Sequence, residues 1–377
     1  MELSFLRPLY ERPGPYASVY ADLTRTTEEV PKIPELRWRA LREELAAQDV
    51  APETRRAIED AVERELDQRW SGGLAVFAAH GEMVLSERLP AAPRRPLAHA
   101  GPLPHVLPLL AQRGEQVPHL VAVVDRTGAD VSGMTADGRR IGFDVRGEAD
   151  YPLRKVSAGD LNQSRFQRAA EETWRSNAKQ VGKEVEQATR RYAPEVVVIA
   201  GDVRARTAVM EELPTAVLER AAEAGETIRT EGASDAPLAA EVGRLVELKA
   251  AEHLMAAVER FEGERANRGR AAEGIGPVAA ALRRAQVDTL LVADRPEGAD
   301  ARLWIGPEPT QLATSPDELR DLGVAGPEPD RADAALIRAL VATDGELLVT
   351  PPDGLPAKSG LAALLRYVDD STPRRDG

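Results

Sequence analysis

The chain has 377 residues, 43% hydrophobic and 29% charged, with a formal net charge of -13. That length predicts two or three domains, and the acidic balance argues against a general nucleic-acid binder, whose phosphate contacts need clustered Lys and Arg. The absence of cysteine excludes disulfides, thiolate metal sites and cysteine nucleophiles. No apolar run approaches the ~18–20 residues that span a bilayer. Met1-Glu2-Leu3-Ser4-Phe5 lacks the basic start of a secretory signal, so a cytoplasmic location is expected.

In chain order, the apolar run at 16–23 predicts a strand. Two amphipathic helices follow, the first with Leu36, Leu41 and Leu45 on its apolar face, the second with Ile58, Val62 and Leu66. Pro52 between them suits the first position of the second helix. Residues 74–77 and 83–85 predict two strands joined by a His80-Gly81 turn. Prolines then recur at 90, 93, 96, 102, 104 and 108, which rules out a long helix or a central strand there. The first domain, an α/β unit, is expected to be 1–115.

Residues 119–146 predict an antiparallel meander of three strands, with Arg126-Thr127-Gly128 and Ala136-Asp137-Gly138 as its turns. A polar loop is expected at about 147–163, then a long helix to Tyr192 with Phe166, Ala170, Trp174, Val181, Val185 and Ala188 on one face. The almost continuous apolar run at 195–200 predicts a central strand covered on both faces. Helices at about 203–212 and 235–262 complete the order of a ribonuclease H-like sheet, and the second domain is expected to be 116–262. The third, 263–377, reads as a small α/β sandwich. It has a helix opened by Pro277, strands near 289–293 and 303–305, and a long proline-bearing loop to Asp330. A helix around 335–340, strands at 347–349 and 362–367 and a polar, disordered tail complete it. The fold class is thus α/β (α+β) in three domains.

The most informative stretch is the polar lead into the long helix. Over 151–191 there are nine Lys and Arg against five Asp and Glu, a positive island in an acidic chain. Asn162 or Ser164 can cap the helix, and its start favours phosphate. Cations this early oppose the helix dipole, so local stability does not explain Arg165 and Arg168. Taken without further information, such a run is most often a solvated helix face.

Gln163-Ser164-Arg165-Phe166-Gln167-Arg168 resembles the Gly-Gly-Gln-Ser-x-x-Arg-Phe-x-x-x-Arg segment of the archaeo-eukaryotic release factors, shortened by about two residues after the serine. In those factors the segment also follows a three-stranded meander and opens a long helix at the tip of the middle domain. Residues 273–282 and 287–292 resemble the helix and strand that open their C-terminal, ribosomal-protein-like domain. The first segment is similar to the N-terminal domain of the bacterial branch called family two, which includes mycobacterial proteins and Balon-like ribosome hibernation factors.

The resemblance implies a ribosome-binding translation factor homologue, in the A site of idle ribosomes under stress, with elongation factor Tu as a companion. Arg154, Lys155, Gly159, Asn162, Gln163, Ser164, Arg165, Arg168, Arg175 and Lys179 would then touch ribosomal RNA near the peptidyl-transferase centre. Leu161-Asn162 stands where the family has Gly-Gly. Glycines there allow backbone conformations closed to leucine and a close approach to the peptidyl-tRNA ester. Hydrolysis is therefore not expected, and no residue is assigned to catalysis. Gln163 is the candidate for the alternative reading, a peptidyl-tRNA hydrolase or rescue factor.

A second alternative is a nuclease or an interaction scaffold on the ribonuclease H-like domain, with Asp125, Asp144 and Asp202 at strand ends. Those aspartates read equally as turn formers. Gly274-Ile275-Gly276 lacks the strand and third glycine of a dinucleotide fingerprint. The five histidines form no ligand pair, so no metal, cofactor or small-molecule substrate is expected.

Overall fold

The computed structural model describes residues 1–25, 33–68, 70–89, 91–147, 160–225, 236–294 and 301–369, excepting the side chains of 160–171. The tail expected to be disordered lies almost wholly outside them. After a 3-10 turn at Ser4–Tyr10 come β1 (Tyr16–Asp22), α1 (Ile33–Ala47), α2 (Pro52–Asp67), β2 (Gly73–Ala79), β3 (Glu82–Leu89), β4 (Leu97–Gly101) and α3 (Leu107–Arg113). The four strands form an antiparallel sheet in the order β3-β2-β1-β4.

Alternation along the two central strands sorts their side chains between two cores. Ala17, Val19 and Ala21 of β1 and Leu74, Val76 and Ala78 of β2 pack under α1 and α2. Tyr16, Tyr20, Ala75 and Phe77 face the other way. On α1, Trp38, Leu41 and Leu45 are buried, while Leu36, expected on that face, is 53% exposed. Five residues separate Leu36 from Leu41, about 140° around a helix, whereas Trp38 is three away and shares the face.

The proline-rich stretch does hold a strand, β4, but at the sheet edge. That edge is closed by side chains of α1. The amides of Ala98 and Ala100 donate to Glu44 Oε2 (3.2 Å) and Gln48 Oε1 (2.8 Å), and Gln48 Nε2 donates to the Ala98 carbonyl (2.9 Å). Such capping removes a pairing template that would otherwise invite aggregation.

The second segment runs β5 (His119–Val124), β6 (Gly128–Met134), β7 (Arg140–Arg146), α4 (Asp160–Tyr192), β8 (Val196–Gly201), α5 (Val203–Glu212), α6 (Thr215–Leu218), β9 (Ala221–Glu223) and α7 (Ala236–Ala266). Its sheet order is β7-β6-β5-β8-β9. The first three strands are antiparallel, and β8 pairs in parallel with β5 and with β9. This is the meander, crossover helix and parallel strand expected of a ribonuclease H-like sheet, with β9 as an unforeseen fifth strand. Every residue of β8 is buried because both faces are covered. Val197 and Ile199 meet α4 and α5, while Val196, Val198 and Ala200 meet Leu238, Val242 and Leu245 of α7. At the end of β8, Gly201 has φ 114°, and a Cβ there would lie 2.0 Å from the Val124 carbonyl oxygen. Asp202 then caps α5, accepting from the amides of Arg204 (3.0 Å) and Ala205 (3.1 Å).

The third segment contains β10 (Ala271–Glu273), α8 (Ile275–Arg283), β11 (Val287–Ala293), β12 (Arg302–Ile305), β13 (Leu312–Ala313), α9 (Pro316–Asp321), β14 (Glu328–Arg331), α10 (Ala332–Ala342), β15 (Glu346–Thr350) and β16 (Leu361–Leu365). Two sheets result, β10-β16-β11-β15 and β13-β12-β14. The stretch expected as a loop up to Asp330 thus carries β13, α9 and β14. The start of α9 is encoded in Ser315-Pro316-Asp317-Glu318, where Ser315 Oγ accepts the Glu318 amide (3.3 Å) in a Ser-x-x-Glu capping arrangement.

The chain packs as two compact units, Met1–Glu115 with Ala256–Gly377, and Gln116–Met255. The first and third segments share one core: Leu6, Leu9, Tyr20 and Phe77 lie in a single cluster with Leu282, Leu290, Leu336 and Leu340. Each such buried side chain contributes about 1.5–3 kcal/mol. Polar groups fasten the same junction. Tyr20 Oη donates to the His105 carbonyl (2.8 Å) and accepts the Leu109 amide (3.1 Å). His105 Nε2 lies 3.2 Å from Asp333 Oδ2, which also pairs with Arg331 (3.0 Å). Burial alone would raise the Asp333 pKa, but its bonds to His105 and Arg331 hold it well below the usual carboxylate range. Burial and the neighbouring His105 and Arg331 push His99 down to about 4.

Two outcomes are expected. Tyr20→Phe leaves the buried Leu109 amide without its acceptor and costs about 1–3 kcal/mol in denaturant unfolding. The folded pKa of His99 lies below its unfolded one, so the unfolded chain binds the proton more tightly. Stability falls as pH drops from ~6.5 and the loss is complete below about 4; His99→Gln flattens that slope in a pH series of melting curves.

Candidate nucleic-acid interface

The unit Gln116–Met255 positions its most basic element through a mismatch of lengths. At 1.5 Å per residue α4, 33 residues long, extends about 50 Å. The six residues of β5 cover only about 20 Å. The excess lies at one end. Asn177 is buried and its Nδ2 donates to the Arg126 carbonyl (3.0 Å) in the β5–β6 turn, so it marks the C-terminal edge of β5. From Asn177 to Tyr192 the helix runs back along the sheet for about 22 Å, burying Ala178, Val181, Val185 and Ala188. From Asn177 back to Asp160 it continues for about 25 Å beyond that turn.

The expected loop-to-helix transition is therefore placed differently. The helix begins at Asp160, so Asn162 and Ser164, read as caps, lie in helical backbone together with Leu161 and Gln163. Arg165 falls in the second turn, beyond the first turn where the dipole penalty is concentrated. The side chains of Asn162, Gln163, Ser164, Arg165 and Arg168 lie outside the described residues, as do Arg154, Lys155 and Gly159 entirely.

Among the described positions Arg175, Lys179 and Lys183 are exposed and have no acidic partner among the described residues. At about 100° per residue these three and Arg190 fall within ~80° of arc, opposite the buried stripe; Arg165 and Arg168 belong to the same register by counting. These cations are scattered along the sequence, and the continuity of α4 aligns them. Arg190 pairs with Glu186. Trp174, expected in the core, is half-buried, and its indole nitrogen lacks a hydrogen-bond partner among the described residues.

Two of the three strand-end aspartates are engaged with the backbone. Asp125 Oδ1 accepts the amides of Thr127 (2.7 Å) and Gly128 (2.9 Å), and Asp202 caps α5. Asp144 is exposed on β7, directly across from Asp130. Among the described residues no three His, Asp or Glu are grouped to hold a metal ion, and no helix is long and apolar enough to cross a membrane.

Residues 118–267, from β5 through α7, match the profile of bacterial archaeo-eukaryotic release factor family 2. Over 364 residues, 96% of each chain, the protein is 30% identical to an uncharacterized protein of Mycobacterium tuberculosis. The chain belongs to bacterial archaeo-eukaryotic release factor family 2. Similar solved structures include Dom34 of Saccharomyces cerevisiae, a translation termination-like factor involved in RNA quality control, at 12% identity, covering 81% of this chain and 82% of that one, with a TM-score of 0.38. Another is archaeal Pelota from a ribosome-bound model, at 16% identity, covering 97% and 94%, with a TM-score of 0.37. At these scores the two likenesses carry no argument; membership rests on the family profile and the mycobacterial relative.

Within the family 2 region, one contact fixes where the free part of α4 begins. A Cβ on Gly147, just after β7, would lie 2.1 Å from Asn177 Oδ1. Gly147→Ala is expected to cost about 1–3 kcal/mol in chemical unfolding, and adding Asn177→Ala to regain part of it. Strictly additive losses in the double-mutant cycle would contradict this packing.

Proposed function

We propose that this family 2 protein binds the ribosome without cleaving peptidyl-tRNA, presenting the overhanging start of α4 and its exposed basic stripe to ribosomal RNA in the A site of idle ribosomes. The observation that carries the reading is the basic stripe of α4 at Arg175, Lys179 and Lys183, without acidic partners among the described residues, on a helix that outruns its sheet, in a chain of net charge -13. Phosphate contacts supply most non-specific affinity, and an acidic remainder confines RNA contact to this one element. On this reading Arg154, Lys155, Gly159, Asn162, Gln163, Ser164, Arg165, Arg168, Arg175 and Lys179 meet ribosomal RNA. The place of action is then the cytoplasm, elongation factor Tu is a candidate companion, and stress is the occasion.

Absence of hydrolysis follows from backbone chemistry. A Gly-Gly turn supplies conformations with positive φ and a close approach to an ester. Leu161 and Asn162 instead lie in helical backbone, which glycine disfavours by about 1 kcal/mol per residue relative to alanine. Losing one preorganised backbone donor of this kind typically costs ~10²–10³ in rate.

The purified chain is expected to co-sediment with ribosomes at low salt. The triple variant Arg175→Glu, Lys179→Glu, Lys183→Glu should bind more weakly and with a shallower salt dependence, by about one unit of log–log slope per lost contact. Wild type and Gln163→Ala should both leave labelled peptidyl-tRNA intact. Unchanged binding by the triple variant would remove the interface from α4. Peptide release abolished by Gln163→Ala would establish the hydrolytic alternative.

A further inference from the structure

The unit formed by Met1–Glu115 and Ala256–Gly377 encloses a cavity of about 720 Å³, within the ~300–1,000 Å³ range of small-molecule sites. It opens at the C-terminal end of β11, where Val292, Ala293 and Asp294 line it beside the first residue of β16, Leu361. Ligands collect at the carboxyl ends of parallel strands in α/β sheets, and β11 pairs in parallel with β15. The opposite wall is β4 and α3 of the first segment. Nothing in the sequence pattern points to this space, because it exists only where the first and third segments meet.

The lining is divided. Leu97, Leu107, Ile275, Leu290 and Ile337 make an apolar floor. One wall is polar: Arg331 and His105 both pair with Asp333, and Nε2 of His99 is buried with no hydrogen-bond partner among the described residues. A buried ionic triad is weak evidence for stability, because its desolvation penalty offsets its attraction. Perturbed, buried ionisable groups beside a cleft instead mark functional sites.

The acidic groups of the lining are all engaged. Asp333 is held by Arg331 and His105, Asp294 pairs with Arg94 across the mouth, and Glu44 accepts the Ala98 amide. Among the described residues, what remains uncompensated is positive. Arg95 is exposed at the rim, and α8, whose start no side chain caps, contributes Ile275 to the lining.

We propose that this cavity is a binding site for a small amphipathic organic acid, its apolar or aromatic body on the leucine and isoleucine floor and its acidic head towards Arg95, with His99 as a hydrogen-bond partner. The site lies outside Gln116–Met255, so its test does not draw on α4.

Anilinonaphthalene sulfonate, an aromatic body with one anionic head, is a suitable probe. Titrated into the full-length protein with its cooperative thermal transition intact, it is expected to give a saturable, one-to-one rise in fluorescence. Ala111→Trp places an indole into the cavity from α3 and should weaken the dye at least tenfold. Arg95→Glu, an exposed substitution without consequence for the core, should weaken it severalfold and remains informative if the tryptophan variant does not fold. Fluorescence at buffer level, or equal binding by wild type and Arg95→Glu, would overturn the assignment.

Discussion

A helix of 33 residues laid on strands of six or seven must overhang them, and the RNA-binding role proposed for this protein depends on that overhang. Because β8 follows α4 after a short turn and pairs in parallel with β5, the C-terminal end of the helix is tied to the start of β8. The excess length is then driven past the opposite edge of the sheet, beside the β5–β6 turn. Asn177, held by the Arg126 carbonyl, marks the level of that edge. The helix continues past it to Asp160, and the exposed cations Arg175, Lys179 and Lys183 straddle that level on the face opposite the buried stripe. An element that serves only the core has no reason to extend so far.

Much of this was legible in the residues. The run at 196–200 reads as a doubly covered strand because it lacks any polar alternation, and both of its faces are indeed packed. The meander is marked by its turns, and the apolar stripe at 181, 185 and 188 fixes the buried face of α4. Other elements were hidden for identifiable reasons. On α1, leucine was favoured over tryptophan as a core residue, yet the spacing of Trp38 from Leu41 decides the face. The helix start at Asp160 was masked by the polar character of 160–164, since short polar residues suit caps and helix interiors almost equally poorly in isolation. α9 was obscured by its prolines, although a proline in the first turn is permissive.

The shared core of the first and third segments is a different kind of omission. Periodicity shows that a strand is apolar on both faces; it does not say which distant segment supplies the second cover. Tyr16, Tyr20 and Phe77 announce a second buried face, but their partners, among them Leu282, Leu336 and Leu340, lie more than two hundred residues away. The cavity between β4, α3 and the end of β11 follows from the same non-local meeting. Composition and spacing therefore could not reveal it.

The central claim is that α4, with its overhanging start and its exposed basic stripe, is the part of this release factor family 2 protein that meets RNA. A cryo-EM map of ribosomes bound by the full-length chain tests it most directly. The account predicts density for α4 entering the A site with its Asp160 end against ribosomal RNA and its stripe at Arg175, Lys179 and Lys183 along phosphates. A bound chain whose α4 faces solvent, with another element making the RNA contacts, would contradict it.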